Sequence, residues 1–346
     1  MTSLQSLLGI DIPIIQAPMA GFQGSALATA VSKAGGLGSL PCAMLGPDAM
    51  RAELRAITSQ TSKPFNVNFF CHAVSTPDPS REAAWRARLA PYYREYDVDI
   101  GAVPAGPGRR PFDEDAADIL NDVRPAVVSF HFGLPSDALL RRVRAFGAKI
   151  LSSATTVEEA RWLDDRGVDA IIAQGFEAGG HRGIFLSEDL TTQIGTMALV
   201  PQIVSAVKVP VIAAGGIADA NGVVAAMALG AAGVQTGTAY LLCPEATTSA
   251  VHRAALKSDA ARHTALTNVF SGGPARGIMN RAMKEMGPIS DVAPAFPLAT
   301  AAIAPLRAAA EKRGSGDFSP LWSGQNNRGC REMPAGELTR ELTARL

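Results

Sequence analysis

Ala173-Gln174-Gly175-Phe176-Glu177-Ala178-Gly179-Gly180-His181-Arg182-Gly183 follows a short apolar run, Asp169 to Ala173. Residues capable of chemistry begin where that run ends. Gly179 and Gly180 carry no Cβ, so the backbone can turn sharply there and bring its N–H groups close to an anion. Two further glycine-bearing turns lie downstream, Ala213-Ala214-Gly215-Gly216-Ile217 and Val234-Gln235-Thr236-Gly237-Thr238. Each follows a β-like run, as expected of loops that converge on one phosphate.

Working outward, runs of the same kind recur at Pro13–Ala17, Leu37–Leu40, Phe65–Phe70, Ala126–Phe132, Lys149–Ser152, Val209–Ala213 and Gly233–Thr236. With Asp169–Gln174 they make eight strand-like runs, most of them followed by a helix signal and spaced by a little over twenty residues. Strands alternating with helices imply parallel pairing. Eight such units predict a (β/α)8 barrel, and no G-x-G-x-x-G opens a helix to suggest an open dinucleotide-binding sheet. Thr156 and Glu159 have the spacing of a capping box. Residues 73–111 hold six prolines and interrupt the rhythm as an insertion, with a helix expected near Trp85–Tyr96. From Pro244 onward the pattern reads as helices without intervening strands. The expected organisation is therefore a barrel over 1–243, a smaller helical subdomain over 244–320 above the barrel mouth, and a segment 321–346 returning to the barrel.

Lysine plus arginine equals aspartate plus glutamate at 32 each, which offers no electrostatic case for nucleic acid or an anionic membrane surface. No apolar run reaches the length of a membrane span. Met1–Ile10 lacks the basic start of a secretion signal. Cys42, Cys71, Cys243 and Cys330 are scattered singly, the pattern of free thiols in a reducing cytoplasm. No histidine pair has metal-ligand spacing with a carboxylate, so no metal is expected.

Barrel enzymes work at the carboxyl ends of their strands, and phosphate commonly binds in the loops after strands seven and eight. That rule gathers Met19, Gly21, Asn68, His131, Gln174, Gly215, Gly216 and Gln235 to Thr238. Asn68, Gln174 and Gln235 offer amide donors and acceptors suited to a flavin's pyrimidine edge and ribityl hydroxyls. His131 ends the run Val127-Val128-Ser129-Phe130-His131, with Gly133 and Pro135 just beyond. An imidazole there suits a base, or a donor to a developing anion. His181, within the glycine loop, is a candidate for substrate or phosphate contact.

Pro13-Ile14-Ile15-Gln16-Ala17-Pro18-Met19, Gly35-Gly36-Leu37-Gly38, Asn66-Val67-Asn68, Ser129 to Pro135, Gln174 to Gly183, Ala213 to Ile217 and Leu321-Trp322-Ser323-Gly324-Gln325 together resemble the class I nitronate monooxygenases. The resemblance covers nearly the whole chain. It implies an FMN-bound barrel that oxidises alkyl nitronates with O2 to a carbonyl compound and nitrite, as a monomer or homodimer. It also implies roles by position. Ala17, Pro18 and Met19 would pack by the flavin, and Asn68 and Gln174 would bind it. Gly179, Gly180, Gly216 and Gln235, Thr236, Gly237 and Thr238 would hold the ribityl phosphate. His131 would sit at the reactive face, orienting the nitro group and taking the α-proton of neutral nitroalkanes. Where some relatives carry tyrosines or a lysine, Phe296 to Ala304 is nearly all apolar here, which favours small uncharged nitronates. Ser271, Phe296 and Arg276 are the nearest substrate-side candidates from the subdomain. A flavin-dependent NAD(P)H reductase of quinones or enoyl thioesters, and a flavin-free barrel acting on a sugar phosphate, remain alternatives.

Overall fold

The computed structural model describes residues 3–99, 101 and 109–346. Pro104 and Pro107 of the proline-rich segment lie outside the described residues. Eight parallel strands form the central sheet: β1 (Ile14–Gln16), β2 (Gly38–Pro41), β3 (Phe65–Phe70), β4 (Val127–His131), β5 (Lys149–Ala154), β6 (Ala170–Gln174), β8 (Val211–Ala214) and β9 (Gly233–Thr236). Their order is β1-β9-β8-β6-β5-β4-β3-β2. The two ends meet where Gln16 N donates to Leu37 O (2.9 Å) and Leu37 N to Ile14 O (2.8 Å), so the sheet curls into a barrel. Helices Ser25–Lys33, Pro47–Thr58, Glu114–Val123, Asp137–Ala145, Val157–Asp165, Thr196–Ala206 and Ala220–Ala228 run between successive strands. This is the (β/α)8 architecture.

Strand periodicity decides which residues reach the lumen, because alternate side chains point to opposite faces. Val67, Phe69, Val128, Phe130, Ile150, Ile171, Ala173, Val211, Ala213 and Val234 join the outer core between the sheet and the helices. The alternate residues Ile15, Leu37, Val127, Leu151, Ala170, Ile172, Ile212 and Ala214 form a separate inner cluster with Leu4, Leu8 and Ile10. Continuing the inner parity toward the carboxyl ends gives Asn68, Phe70, Ser129, His131, Ser153, Gln174 and Gln235. The lumen is thus apolar at one end and polar at the other. A buried polar chain links Gln16, Ser39, Asn66 and Ser129: Ser39 N donates to Gln16 Oε1 (3.0 Å), and Asn66 Nδ2 donates to Ser39 Oγ (3.0 Å) and Ser129 Oγ (2.8 Å).

The chain from 244 onward is not purely helical. Strands β10 (Thr264–Thr267) and β11 (Ala275–Ile278) pair antiparallel, and β11 also pairs with β7 (Gly180–His181), which belongs to the glycine-rich loop after β6. The expectation of helices alone failed here because β7 is two residues long and its partners are short segments in an alanine-rich context. A second apolar cluster joins this part to the insertion. Trp85, Leu89 and Tyr93 of helix Pro79–Glu95 pack with Val269, Phe270, Ile303, Leu306 and Phe318. Helix Ala335–Glu341 lies back against the barrel, where Thr339 Oγ1 meets Tyr240 Oη at 2.9 Å. Among the described residues, no helix is long and apolar enough to cross a membrane.

Candidate active site

The polar end of the lumen opens into a cavity bounded on its far side by β7, Trp322 and the segment Gly324–Asn326. Ala17, Pro18, Met19, Asn68, His131, Gln174, Gly179, Gly180, His181, Gly215, Gly216, Gln235, Thr236, Gly237 and Thr238 all line it. Of the residues singled out from sequence, Gly21, Ser271, Phe296 and Arg276 do not. Gly21 (φ +86°) makes the turn after β1 near Met44. Ser271 and Phe296 stand one layer back, both against His181. Arg276 is buried, donating from Nε to Phe176 O (3.0 Å) and stacking over the Phe176 ring. Phe70, Arg109, Ser153, Ile172 and Asn326 line the cavity without having been singled out, and Ser129 and Trp322, quoted only within motifs and given no role, line it too. Parity with Leu151 would have pointed to Ser153. No periodic signal marks Arg109, which lies in the proline-rich insertion.

The two cavity histidines differ in what holds their nitrogens. His131 Nδ1 lies 2.8 Å from Ser153 Oγ and its Nε2 3.1 Å from the carbonyl oxygen of His181. A carbonyl only accepts, so Nε2 carries the proton and Nδ1 accepts from the serine hydroxyl. Both nitrogens are therefore committed, and the lone pair expected to take an α-proton is already in use. Burial, with some help from the Arg182 charge and against the His181 carbonyl, pushes the imidazole pKa down to about 4. His131 is neutral at pH 7.

His181 Nε2 lies 2.9 Å from Ser271 Oγ, and Ser271 Oγ lies 3.3 Å from Gly273 O. With the serine proton on that carbonyl, His181 donates from Nε2 and keeps its Nδ1 lone pair. Among the described residues, Nδ1 has no hydrogen-bond partner. Burial first, then the charges of Arg109 and the other histidines, hold this imidazole well below its ordinary pKa.

Gln174 closes the loop after β6. Its Nε2 donates to His181 O (2.9 Å) and its Oε1 accepts from Gly183 N (2.7 Å). Arg182, fully buried, reinforces the closure by donating to Gly175 O (2.6 Å), Gln174 O (2.7 Å) and Gln193 Oε1 (2.9 Å). Asn68 donates to Ser129 through Nδ2 (2.9 Å to Oγ).

A flavin phosphate fits the glycine turns on two observations. Gly180, Gly215 and Gly216 all have positive φ, and a Cβ on Gly179 would stand 2.5 Å from Gly324 N. The backbone is thus drawn into a tight cradle that side chains would fill. The cradle is braced from behind, where Gly324 N donates to Thr238 Oγ1 (2.9 Å) and Asn326 Nδ2 to Gly216 O (2.9 Å). Among the described residues, Gln235 Oε1 is buried with no protein partner, an acceptor left for a ligand N–H.

Known proteins resemble this arrangement across its whole length. The family model described as Nitronate monooxygenase matches residues 1–345. A nitronate monooxygenase of Pseudomonas aeruginosa is 45% identical over 98% of this chain and 97% of its own. One of Paraburkholderia phytofirmans is 41% identical over 99% and 94%. Among solved structures, nitroalkane oxidase from Streptomyces ansochromogenes superposes with a TM-score of 0.90 at 39% identity, covering 99% of this chain and 97% of that one. FabK from Thermotoga maritima gives 0.73 at 26% identity, covering 99% and 95%. With a matching barrel, a glycine cradle and a histidine-lined cavity, the chain belongs to the nitronate monooxygenase family of flavin-dependent oxidoreductases.

Proposed function

We propose that this enzyme binds FMN and oxidises alkyl nitronates with O2 to a carbonyl compound and nitrite. The observation that carries the reading is that two uncharged imidazoles, His131 and His181, share one cavity with the glycine cradle. Bound FMN would supply the electron transfer between substrate and O2. Gly179, Gly180, Gly215, Gly216, Gly237 and Thr238 would hold its phosphate, and Asn68, Gln174 and Gln235 its polar edge. Ala17, Pro18 and Met19 would pack against it. Residues 244–320 would back the substrate side through Ser271 and Phe296, which stand against His181, and the barrel would form the cofactor side.

His131 donates from Nε2 to the His181 carbonyl and so fixes the strand that carries His181. Its neutral ring adds no charge that would trap an anionic product. A nitronate arrives already deprotonated and needs no base. For a neutral nitroalkane, the free Nδ1 lone pair of His181 accepts the α-proton, while Ser271 holds the tautomer from behind. A base with so low a pKa is weak, so nitronates turn over faster than nitroalkanes. The four free cysteines accord with a cytoplasmic enzyme.

Oxygen uptake by the FMN-loaded enzyme with the nitronate of 1-nitropropane, with nitrite assayed in parallel, tests this reading. Coupled uptake and nitrite release is the expected result. An enzyme that holds FMN but consumes no oxygen with any nitronate would rule the reading out.

A further inference from the structure

Two guanidiniums are buried around the glycine-rich loop after β6, and neither meets a carboxylate. Arg182 is fully buried and Arg276 nearly so. Arg182 spends its donors on two loop carbonyls and Gln193. Arg276 donates from Nε to Phe176 O (3.0 Å) and from a terminal nitrogen to Thr264 Oγ1 (3.2 Å). Among the described residues, no carboxylate lies within ion-pair reach of either. Met1, Thr2, Ile100 and residues 102–108, which fall outside the description, include no aspartate or glutamate. The two acids of this layer are committed to neutral donors. Glu159 accepts from Thr155 and Phe185, and Glu177 accepts from Thr196 N (2.8 Å) at the start of helix Thr196–Ala206. Buried charge without a direct counter-ion is costly, and an anionic ligand removes part of that cost.

Arg276 is tied to the cradle through its backbone. In β11 it stands opposite Gly180 of β7, and its carbonyl accepts from Ser323 N (3.3 Å). Gly179 in turn packs against Ser323 and Gly324. The guanidinium reaches the foot of the same loop, bonded to Phe176 O and 4.7 Å from the Phe176 ring centroid. The cradle itself carries no cationic side chain. Among the described residues lining the cavity, Arg109 alone bears a formal charge at pH 7. It sits away on the substrate side, bonded to Thr300 Oγ1 and over the Phe296 ring. A phosphate monoester carries about 1.5 to 2 negative charges at pH 7. Backbone N–H groups solvate such a group without cancelling its net charge. In a buried layer of low dielectric, a guanidinium one loop away still acts on it.

Resting on the FMN reading above, we propose that Arg276 is a positioning residue for the cofactor, supplying from behind the loop the positive charge that the phosphate end of FMN meets in the cradle. The site then prefers FMN to riboflavin partly through a side chain that touches neither. Arg276 was a substrate-side candidate in the sequence, and this assigns it to the cofactor instead.

The test is fluorescence titration of the flavin-free, full-length parent, Arg276→Gln and Arg276→Lys with FMN and with riboflavin, which lacks the phosphate. Gln keeps an N–H donor for Phe176 O, and Lys keeps the charge. For Arg276→Gln we expect FMN affinity to fall about 10- to 100-fold with riboflavin affinity within about twofold. Arg276→Lys should keep most of the preference for FMN. Equal losses on both flavins, no loss on either, or a Lys variant as poor as the Gln variant would overturn the proposal. Should Arg276→Gln fail to fold, phosphorus NMR of FMN bound to the parent decides. Its phosphate should stay dianionic from pH 8 down to about 5.5, below the ordinary second pKa near 6. Titration of the bound phosphate near 6 would overturn the proposal. A parent that binds neither flavin removes the FMN reading and this inference together. A parent that binds FMN while Arg276→Gln leaves the FMN-to-riboflavin ratio unchanged removes the inference alone.

Discussion

His131 and His181 show how chemistry at a single residue depends on which nitrogen is left free. His131 spends both of its nitrogens on Ser153 and the His181 carbonyl, whereas His181 spends one on Ser271. His181→Asn should therefore cut turnover of neutral nitroalkanes by about 100-fold, with a loss on preformed nitronates of under about tenfold. His131→Asn should retain FMN and lose rate on both substrates alike, because it loosens the strand carrying His181. Steady-state rates on the two substrate types separate these outcomes. Both imidazole pKa values lie below the ordinary histidine range, so the nitronate rate should show no inflection between pH 6 and 8. An inflection near 6.5 would mean that a cavity histidine titrates normally. At this scale His131, Gln174 and Gln235 were legible because each ends an apolar run. Ser153 and Arg109 were not. The strand carrying Ser153 runs to Ala154, two residues past the expected end at Ser152, and Arg109 sits where no period exists to place it.

Among the elements, the loop after β6 is the one whose shape the site depends on, and a buried carboxylate holds it. Glu159 accepts from Thr155 N (2.6 Å), Thr155 Oγ1 (2.7 Å) and Phe185 N (2.6 Å). The sequence pattern Thr156–Glu159 suggested a reciprocal capping box. Only half of it forms: Thr156 Oγ1 accepts from Glu159 N at 3.2 Å, while the carboxylate reaches Thr155 and the distant loop instead. Local spacing could not reveal this, because Phe185 arrives from beyond the next strand. Glu159→Gln places an N–H donor among donors, and should lower stability by about 2–4 kcal/mol in urea unfolding. It should also expose the loop to limited proteolysis. Gly179→Ala tests the cradle. Its Cβ meets the backbone at Gly324 and Ser323, so the variant should purify with much less bound FMN. Gly46→Ala, where a Cβ meets nothing within 4 Å, should load as the parent does.

For the whole molecule, the barrel was readable from the alternation of strand-like runs with helix signals, which survives the insertion before β4 and the long loop after β6. The second sheet was not, because its pairing joins residue 180 to residue 276 across the chain and no local pattern records that. The same molecule buries several histidines as neutral rings, which makes its stability depend on pH. His131 and His252 both have pKa values pushed down to about 4 by burial, against an unfolded value near 6.5. Between pH 4 and 6.5 the unfolded chain binds more protons than the folded one, so stability falls as pH falls through that window. Each histidine contributes up to about 1.4 kcal/mol per pH unit there. The unfolding midpoint should drop steadily from pH 7 to pH 5. His252→Gln, which keeps a donor toward Trp322 O, should flatten that slope by one proton.

Anaerobic mixing of the FMN-loaded enzyme with an alkyl nitronate, and separately with NADH, tests the central claim most directly. Loss of flavin absorbance with the nitronate at a rate matching turnover, and none comparable with micromolar NADH, is what the proposed function predicts. Rapid bleaching by NADH and an unchanged spectrum with the nitronate would contradict it and make the protein a reductase.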